Sequence, residues 1–238
     1  MATIARLRAI TRELVGSVSD LEFGPPVAAV YNPLVYARRP HDAYLSRWAV
    51  GRKRFVLLGM NPGPWGMAQT GVPFGEIAAV RDWLGIEARV DRPENEYAPR
   101  PIQGFDCPRS EVSGRRLWGY WQRRFGTPEH FFADHVVLNY CPLVFMEEGG
   151  RNRTPDKLPR EERRPLEAAC DAALRSFVEA WRPEMILGVG GFAEKCARRV
   201  FGDEVAIASI PHPSPASPAA NRGWDELVDA RRRELGLA

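Results

Sequence analysis

Gly59–Glu76 reads GMNPGPWGMAQTGVPFGE and follows the apolar run Phe55-Val56-Leu57-Leu58. Apolar residues that stop abruptly at Gly, Asn and Pro mark a buried strand running into a non-helical loop, because each proline fixes its own φ and restricts the residue before it. A loop this rich in glycine lets backbone approach a ligand closely. A plain surface turn is the alternative, but Asn61, Trp65, Met67, Gln69 and Phe74 are large or amide side chains that a connector does not need.

A second loop near the C-terminus has the same character. The apolar strand Val205–Ile210 runs into Pro211-His212-Pro213-Ser214-Pro215, then Ala216 to Trp224. Two further apolar runs, Val136–Asn139 and Met185–Leu187, lie between the loops. Helical periodicity separates them: Glu111–Phe125 carries Leu117, Trp121 and Phe125 on one face, and Glu161–Trp181 buries Leu166, Cys170, Ala173, Leu174, Phe177 and Trp181. Further helices are expected at Asp42–Trp48, Ile77–Leu84 and Ala219–Leu235, with irregular chain at Gly85–Pro108 and a polar, turn-rich excursion at Glu147–Pro159. Strands alternating with helices predict an α/β fold, a three-layer α/β/α sandwich around a short four-stranded parallel sheet. In such sheets the loops at the carboxyl ends of the strands meet on one edge, which brings the two motif loops together.

The 238 residues suffice for one core and show no compositional break, so a single domain over 1–238 is expected. Hydrophobic content of 45% and charged content of 26% are ordinary, and no apolar run approaches a membrane span. The N-terminus carries Arg6, Arg8 and Arg12, as a transit peptide would. Glu13, Asp20 and the helical spacing of Ile4, Leu7, Ile10 and Leu14 favour a packed first helix. With 33 basic and 30 acidic residues the net charge of +3 excludes little. The clusters Arg52-Lys53-Arg54, Arg115-Arg116, Arg123-Arg124, Arg151-Asn152-Arg153 and Arg231-Arg232-Arg233 read as solvated faces, or as a phosphate track where they reach the motif edge. Four dispersed cysteines without a CxxC pair read as buried thiols rather than disulfides or a cluster site. Gly188–Ala193 matches a dinucleotide fingerprint, but the acidic residue that pattern needs at the next strand end is replaced by Pro211-His212. The turn then serves close packing, or backbone anion binding through Gly190 and Gly191.

GMNPGPWGMAQTGVPFGE together with HPSPASPAANRGW (212–224) resembles the single-strand-selective monofunctional uracil-DNA glycosylase family of the uracil-DNA glycosylase superfamily. The likeness includes Asn139-Tyr140-Cys141-Pro142-Leu143 and the order of strands and helices over most of the chain. It implies a monofunctional glycosylase of base excision repair that flips out uracil, and related modified or deaminated bases, and hydrolyses the N-glycosidic bond to leave an abasic site. It further implies that Asn61 orients the attacking water and that His212 donates to the uracil 2-oxo group. Phe74 then stacks on the base, Asn139 reads its Watson–Crick edge, and Met60 and Gly63 shape the pocket, Gly63 by leaving room near the base. Ser214, Pro215 and Ser217 are the candidates for insertion into DNA, and Gly190-Gly191 for a phosphate contact. Ala216 departs from the family, which carries a basic residue just after HPSP.

No lysine lies in the motif loops, so no Schiff-base nucleophile is expected, nor a metal or cofactor. The expected partner is single- or double-stranded DNA, met by a monomer without membrane attachment, in the nucleoid-associated cytoplasm of a prokaryote or in a nucleus. Two other functions compete: a module that grips single strands without catalysis, and a nucleoside hydrolase. A binder has no need of both Asn61 and His212. A nucleoside hydrolase wants carboxylates near the sugar, where the motif loops offer Glu76 alone, at an edge.

Overall fold

The computed structural model describes residues 2–237. In chain order the elements are α1 (Ile4–Ser19), β1 (Val27–Tyr31), α2 (Pro33–Tyr36), α3 (Arg38–Tyr44), β2 (Phe55–Gly59), α4 (Met67–Thr70), α5 (Val112–Phe125), α6 (Pro128–Asp134), β3 (His135–Asn139), β4 (Val144–Glu147), β5 (Asn152–Arg153), α7 (Arg160–Trp181), β6 (Met185–Val189), α8 (Gly191–Phe201), β7 (Ala206–Ile210) and α9 (Pro218–Glu234). β3, β2, β6 and β7 form, in that order, a parallel sheet. Val56, Leu57, Leu58, Val136 and Val137 are completely buried, which is why these strands read as continuous apolar runs: both faces are covered by helices. α1 is capped by the Thr3 hydroxyl, which accepts from the Arg6 N–H, and buries Leu7, Ile10, Leu14 and Val18 in the core, packing on α7.

Three elements differ from the sequence expectation. β1, β4 and β5 make a separate antiparallel sheet, and β5 lies within the stretch expected to be only turns. The helix expected at Asp42–Trp48 starts earlier, as α3, and ends in a π-helical turn at Leu45–Ala49. Ile77–Leu84 likewise holds a π-helical turn, Ala79–Trp83. Those wider turns seat Trp48 and Trp83, whose indole N–H groups donate to the carbonyls of Leu84 and Gly126 at 3.0 Å.

The irregular chain between 85 and 111 is pinned to the first motif loop. Gln69 Oε1 accepts from the N–H groups of Gln103 (2.9 Å) and Gly104 (3.1 Å), and its Nε2 donates to the carbonyls of Pro64 and Pro101. Trp65 lies between the guanidinium groups of Arg100 and Arg109, at 5.0 and 4.6 Å. All four cysteines are buried and unbridged, as the sequence suggests.

Candidate active site

β2 and β3 run in register, so that Gly59 pairs with Asn139 where both strands end. Beyond that point Tyr140 N–H donates to Gly59 O and Cys141 N–H to Met60 O, and the two chains leave the sheet side by side. Asn61 Nδ2 donates to Leu143 O at 3.1 Å and to Pro62 O at 3.4 Å. The first motif loop then makes the short α4, reverses at Gly71 (φ 69°) and returns through Phe74, held at φ 51°. That return lays the Phe74 ring against the strand end. A methyl group on Gly59 would lie 2.5 Å from Phe74 Cε2 and 2.4 Å from Asn139 Oδ1, so glycine is what allows ring and amide to meet there. His212 follows β7, and its ring centroid is 6.1 Å from that of Phe74.

These groups line one cleft of about 340 Å³ with Met60, Gly63, Glu111, Ser113, Asn152, Thr154 and Ser214. A wider groove of about 600 Å³ lies elsewhere, between α1 and Asp91–Asn95, and contains no side chain of the two motif loops.

Three polar groups define what the cleft can bind. Asn139 is 7% exposed; its Nδ2 contacts Met67 Sδ at 3.2 Å, and its Oδ1 is buried without a partner. His212 Nδ1 accepts from Ser214 N–H at 3.1 Å, which fixes the proton on Nε2, and burial pushes the imidazole pKa down to about 4. The ring is therefore a neutral donor at physiological pH. Burial, and secondarily the negative Glu76, push the Glu111 carboxyl up to about 7. It rests on bare backbone, since methyl groups on Gly63 and Gly66 would lie 1.7 and 1.9 Å from its oxygens.

The sequence profile of the Uracil DNA glycosylase superfamily matches residues 49–234. The single-strand selective monofunctional uracil-DNA glycosylase of Rattus norvegicus is 48% identical over 227 residues, covering 94% of this chain and 82% of the rat protein. The chain belongs to that family. The Bos taurus member is also 48% identical, over 92% of this chain and 81% of the bovine protein. Among solved structures, SMUG2 of Pedobacter heparinus superposes with a TM-score of 0.69 over 95% of this chain and 97% of its own, at 16% identity, a likeness of fold.

In this uracil-DNA glycosylase family member the cleft gathers seven residues singled out in the sequence: Met60, Asn61, Gly63, Phe74, Asn139, His212 and Ser214. Pro215 and Ala216 lie outside it on the exposed tip of the second loop, and Ser217 Oγ caps α9 by accepting from Ala220 N–H. The tip is braced from below by Arg116, which donates to Pro213 O at 3.0 Å and to Asn221 Oδ1 at 2.9 Å. Gly190 and Gly191 border a neighbouring groove with Ser209 and Arg231; the Gly190 N–H donates to Ile210 O and is not free for a phosphate, which leaves Gly191.

The basic clusters are mostly committed elsewhere. Arg52 and Arg54 pair with Glu184 at the opposite end of β2, Arg123 pairs with Asp225, and Arg153 with Glu147. The space that the missing side chain of Gly63 leaves is taken by Glu111. The sequence reading missed Glu111, Ser113, Asn152 and Thr154. The only sequence signal for Glu111 was a glutamate at a helix start, where acidic residues are common.

Proposed function

We propose that this chain is a monofunctional DNA glycosylase that extrudes uracil from DNA, hydrolyses its N-glycosidic bond and leaves an abasic site for base excision repair. The observation that carries this is that Asn139, whose buried Oδ1 has no hydrogen-bond partner, lines one cleft together with the neutral His212. Uracil presents an N3–H donor flanked by two carbonyl acceptors. Asn139 Oδ1 accepts from N3–H, its Nδ2 exchanges Met67 Sδ for O4, and His212 Nε2–H donates to O2. Cytosine presents an acceptor at N3 and donors at N4, so both amide atoms would be opposed, and leaving such buried groups unpaired is the strongest kind of rejection. Phe74 supplies the face on which the extruded ring stacks.

The departing base takes the bonding electrons and becomes an anion with charge on O2. A donor aimed at a charge that grows only in the transition state contributes roughly 10²–10³ in rate. A neutral imidazole fills this role without a charge to neutralise beforehand. Asn61 Oδ1, freed by the bonds that hold its Nδ2, orients water under the sugar carbon. Ser214, Pro215, Ala216 and Ser217 fill the gap left in the stack, and Ala216 makes that wedge shorter and uncharged. Among the described residues no lysine lines the cleft, which supports hydrolysis without strand cleavage. Related modified or deaminated pyrimidines enter the same pocket. The working unit is a monomer, located with the chromosome in nucleoid or nucleus.

Free base is measured after incubation with matched single- and double-stranded uracil oligonucleotides, and strands are then treated with hot alkali. Strand breaks that appear only after alkali, with rates lowered at least about 100-fold in Asn61→Ala and His212→Ala, are expected. DNA that binds yet releases no base overturns the proposal in favour of a binding module.

A further inference from the structure

The hydrolysis derived above leaves one proton unassigned. Water adds its oxygen to C1′ while the C1′–N1 electron pair leaves with the base, and the oxygen must then shed a proton. Asn61 is an amide and cannot take it. His212 holds its only lone-pair nitrogen against Ser214 N–H and presents Nε2–H to the cleft. The lining contains one other titratable side chain, Glu111.

Its geometry singles it out. Glu111 immediately precedes α5, and Gly114 seats that helix against Phe74, where a methyl group would lie 2.2 Å from the Phe74 carbonyl oxygen. The carboxylate reaches back onto the first motif loop at Gly63 and Gly66, two and five positions beyond Asn61. Among the described residues no donor bonds to it, nor does it cap its own helix. The carboxylate lines the cleft without a hydrogen-bond partner from the protein, and a water bound in the cleft supplies one. Charged groups on the surrounding elements do not neutralise it: Glu76 brings a second carboxyl, Arg109 lies over Trp65, and Arg153 is 2.7 Å from Glu147.

We propose that Glu111 is a catalytic general base, which shares the attacking water with Asn61 and accepts its proton as the O–C1′ bond forms. The proton passes afterwards to solvent or to the released base anion, so the step needs no further reactant. This rests on the glycosylase reading above and names a third residue for its chemistry. The carboxyl, raised to about 7 by burial and by Glu76, titrates where a base is most effective at neutral pH.

Single-turnover excision from a uracil-containing single strand is measured from pH 5.5 to 8.5 for the wild type, Glu111→Gln and Glu111→Asp, with oligonucleotide affinity and melting measured alongside. The wild-type rate is expected to rise about tenfold per pH unit up to about 7 and then level off. Glu111→Gln loses that rise and about 100-fold in rate at pH 8 with affinity unchanged, and Glu111→Asp keeps the rise at a lower rate. A flat wild-type profile, which depends on no variant folding, overturns the inference. So does a Glu111→Gln protein that keeps both rate and profile while Asn61→Ala and His212→Ala are impaired, and the glycosylase reading then survives. Absence of base release by the wild type at any pH overturns both.

Discussion

Replacing Gly59 by alanine tests the construction of the base pocket at its floor. The added methyl carbon would sit 2.4 Å from Asn139 Oδ1 and 2.5 and 2.8 Å from Phe74 Cε2 and Cζ. Carbon atoms rest at about 3.5–4.0 Å, so ring and amide must retreat by about 1 Å. Phe74 has little freedom to retreat. Its backbone is held at φ 51°, and the next residue, Gly75, is so confined that a methyl there would meet Thr70 Oγ1 at 2.0 Å. Overpacking of this kind costs about 1–3 kcal/mol, which at about 2–4 °C per kcal/mol for a domain of this size lowers Tm by roughly 2–12 °C. The larger effect is on function. Losing the stacking face removes about 1–3 kcal/mol per base, and misplacing the Asn139 amide removes about another 1 kcal/mol. Together these lower kcat/KM for uracil excision about 30- to 1000-fold. The assay is single-turnover excision on the same oligonucleotide, beside a calorimetric melt. Gly59→Ala with kcat/KM and Tm both within error of the wild type would refute the claim that Phe74 and Asn139 converge on this strand end.

Gly16→Ala is the matching control: a methyl there meets nothing within 4 Å in the last turn of α1, and it stabilises by about 0.5–1 kcal/mol without changing excision. Acid sensitivity follows from His135 and His212, both lowered to about 4 by burial. Between pH 6.5 and 4 the unfolded chain binds protons that the folded chain refuses, so their stability contribution is intact above 6.5 and is lost as pH falls. Glu111, raised to about 7, acts in the opposite sense between 4.5 and 7. His135→Gln therefore narrows the gap between the unfolding free energies obtained from urea titrations at pH 7.5 and 4.5 by about 1–2 kcal/mol; an unchanged gap would show that His135 is not buried uncharged. Gln69→Leu strips partners from the N–H groups of Gln103 and Gly104, costs about 2–4 kcal/mol, and speeds amide exchange there by at least tenfold. Exchange confined to its wild-type rate would contradict the pinning. A thiol reagent should modify fewer than one of the four cysteines in the native protein and all four in denaturant.

The four parallel strands were legible because burial on both faces writes itself as unbroken apolar runs, and the convergence of their loops followed from topology alone. β6 merely extends two residues past the apolar stretch expected to end at Leu187, since Gly188 and Val189 pair with Ser209 and Ile210. The antiparallel sheet left no such trace. β5 is two polar residues long, Asn152-Arg153, with no alternation to detect, yet it carries Asn152 to the cleft. Asn61, Phe74 and His212 stand out by their surroundings of glycine and proline, whereas Asn139 is reached through the family resemblance. Glu111 does not, because its reach to Gly63 and Gly66 depends on how closely α5 docks, a tertiary fact set by the missing side chain of Gly114.

The in-register pairing of Gly59 with Asn139 also sets a dimension. Neighbouring strands in any sheet are about 4.7–4.9 Å apart, and the spacing is fixed by backbone hydrogen bonds rather than by side chains. Asn61 and Asn139 leave from two such adjacent tracks, so with the roles proposed for them the sheet serves as a ruler between the sugar and the pyrimidine edge. No substitution on either track changes that interval without breaking the ladder. New base preferences must therefore be written on lining residues that reach the cleft from outside these two tracks, such as Ser113, Asn152 and Thr154.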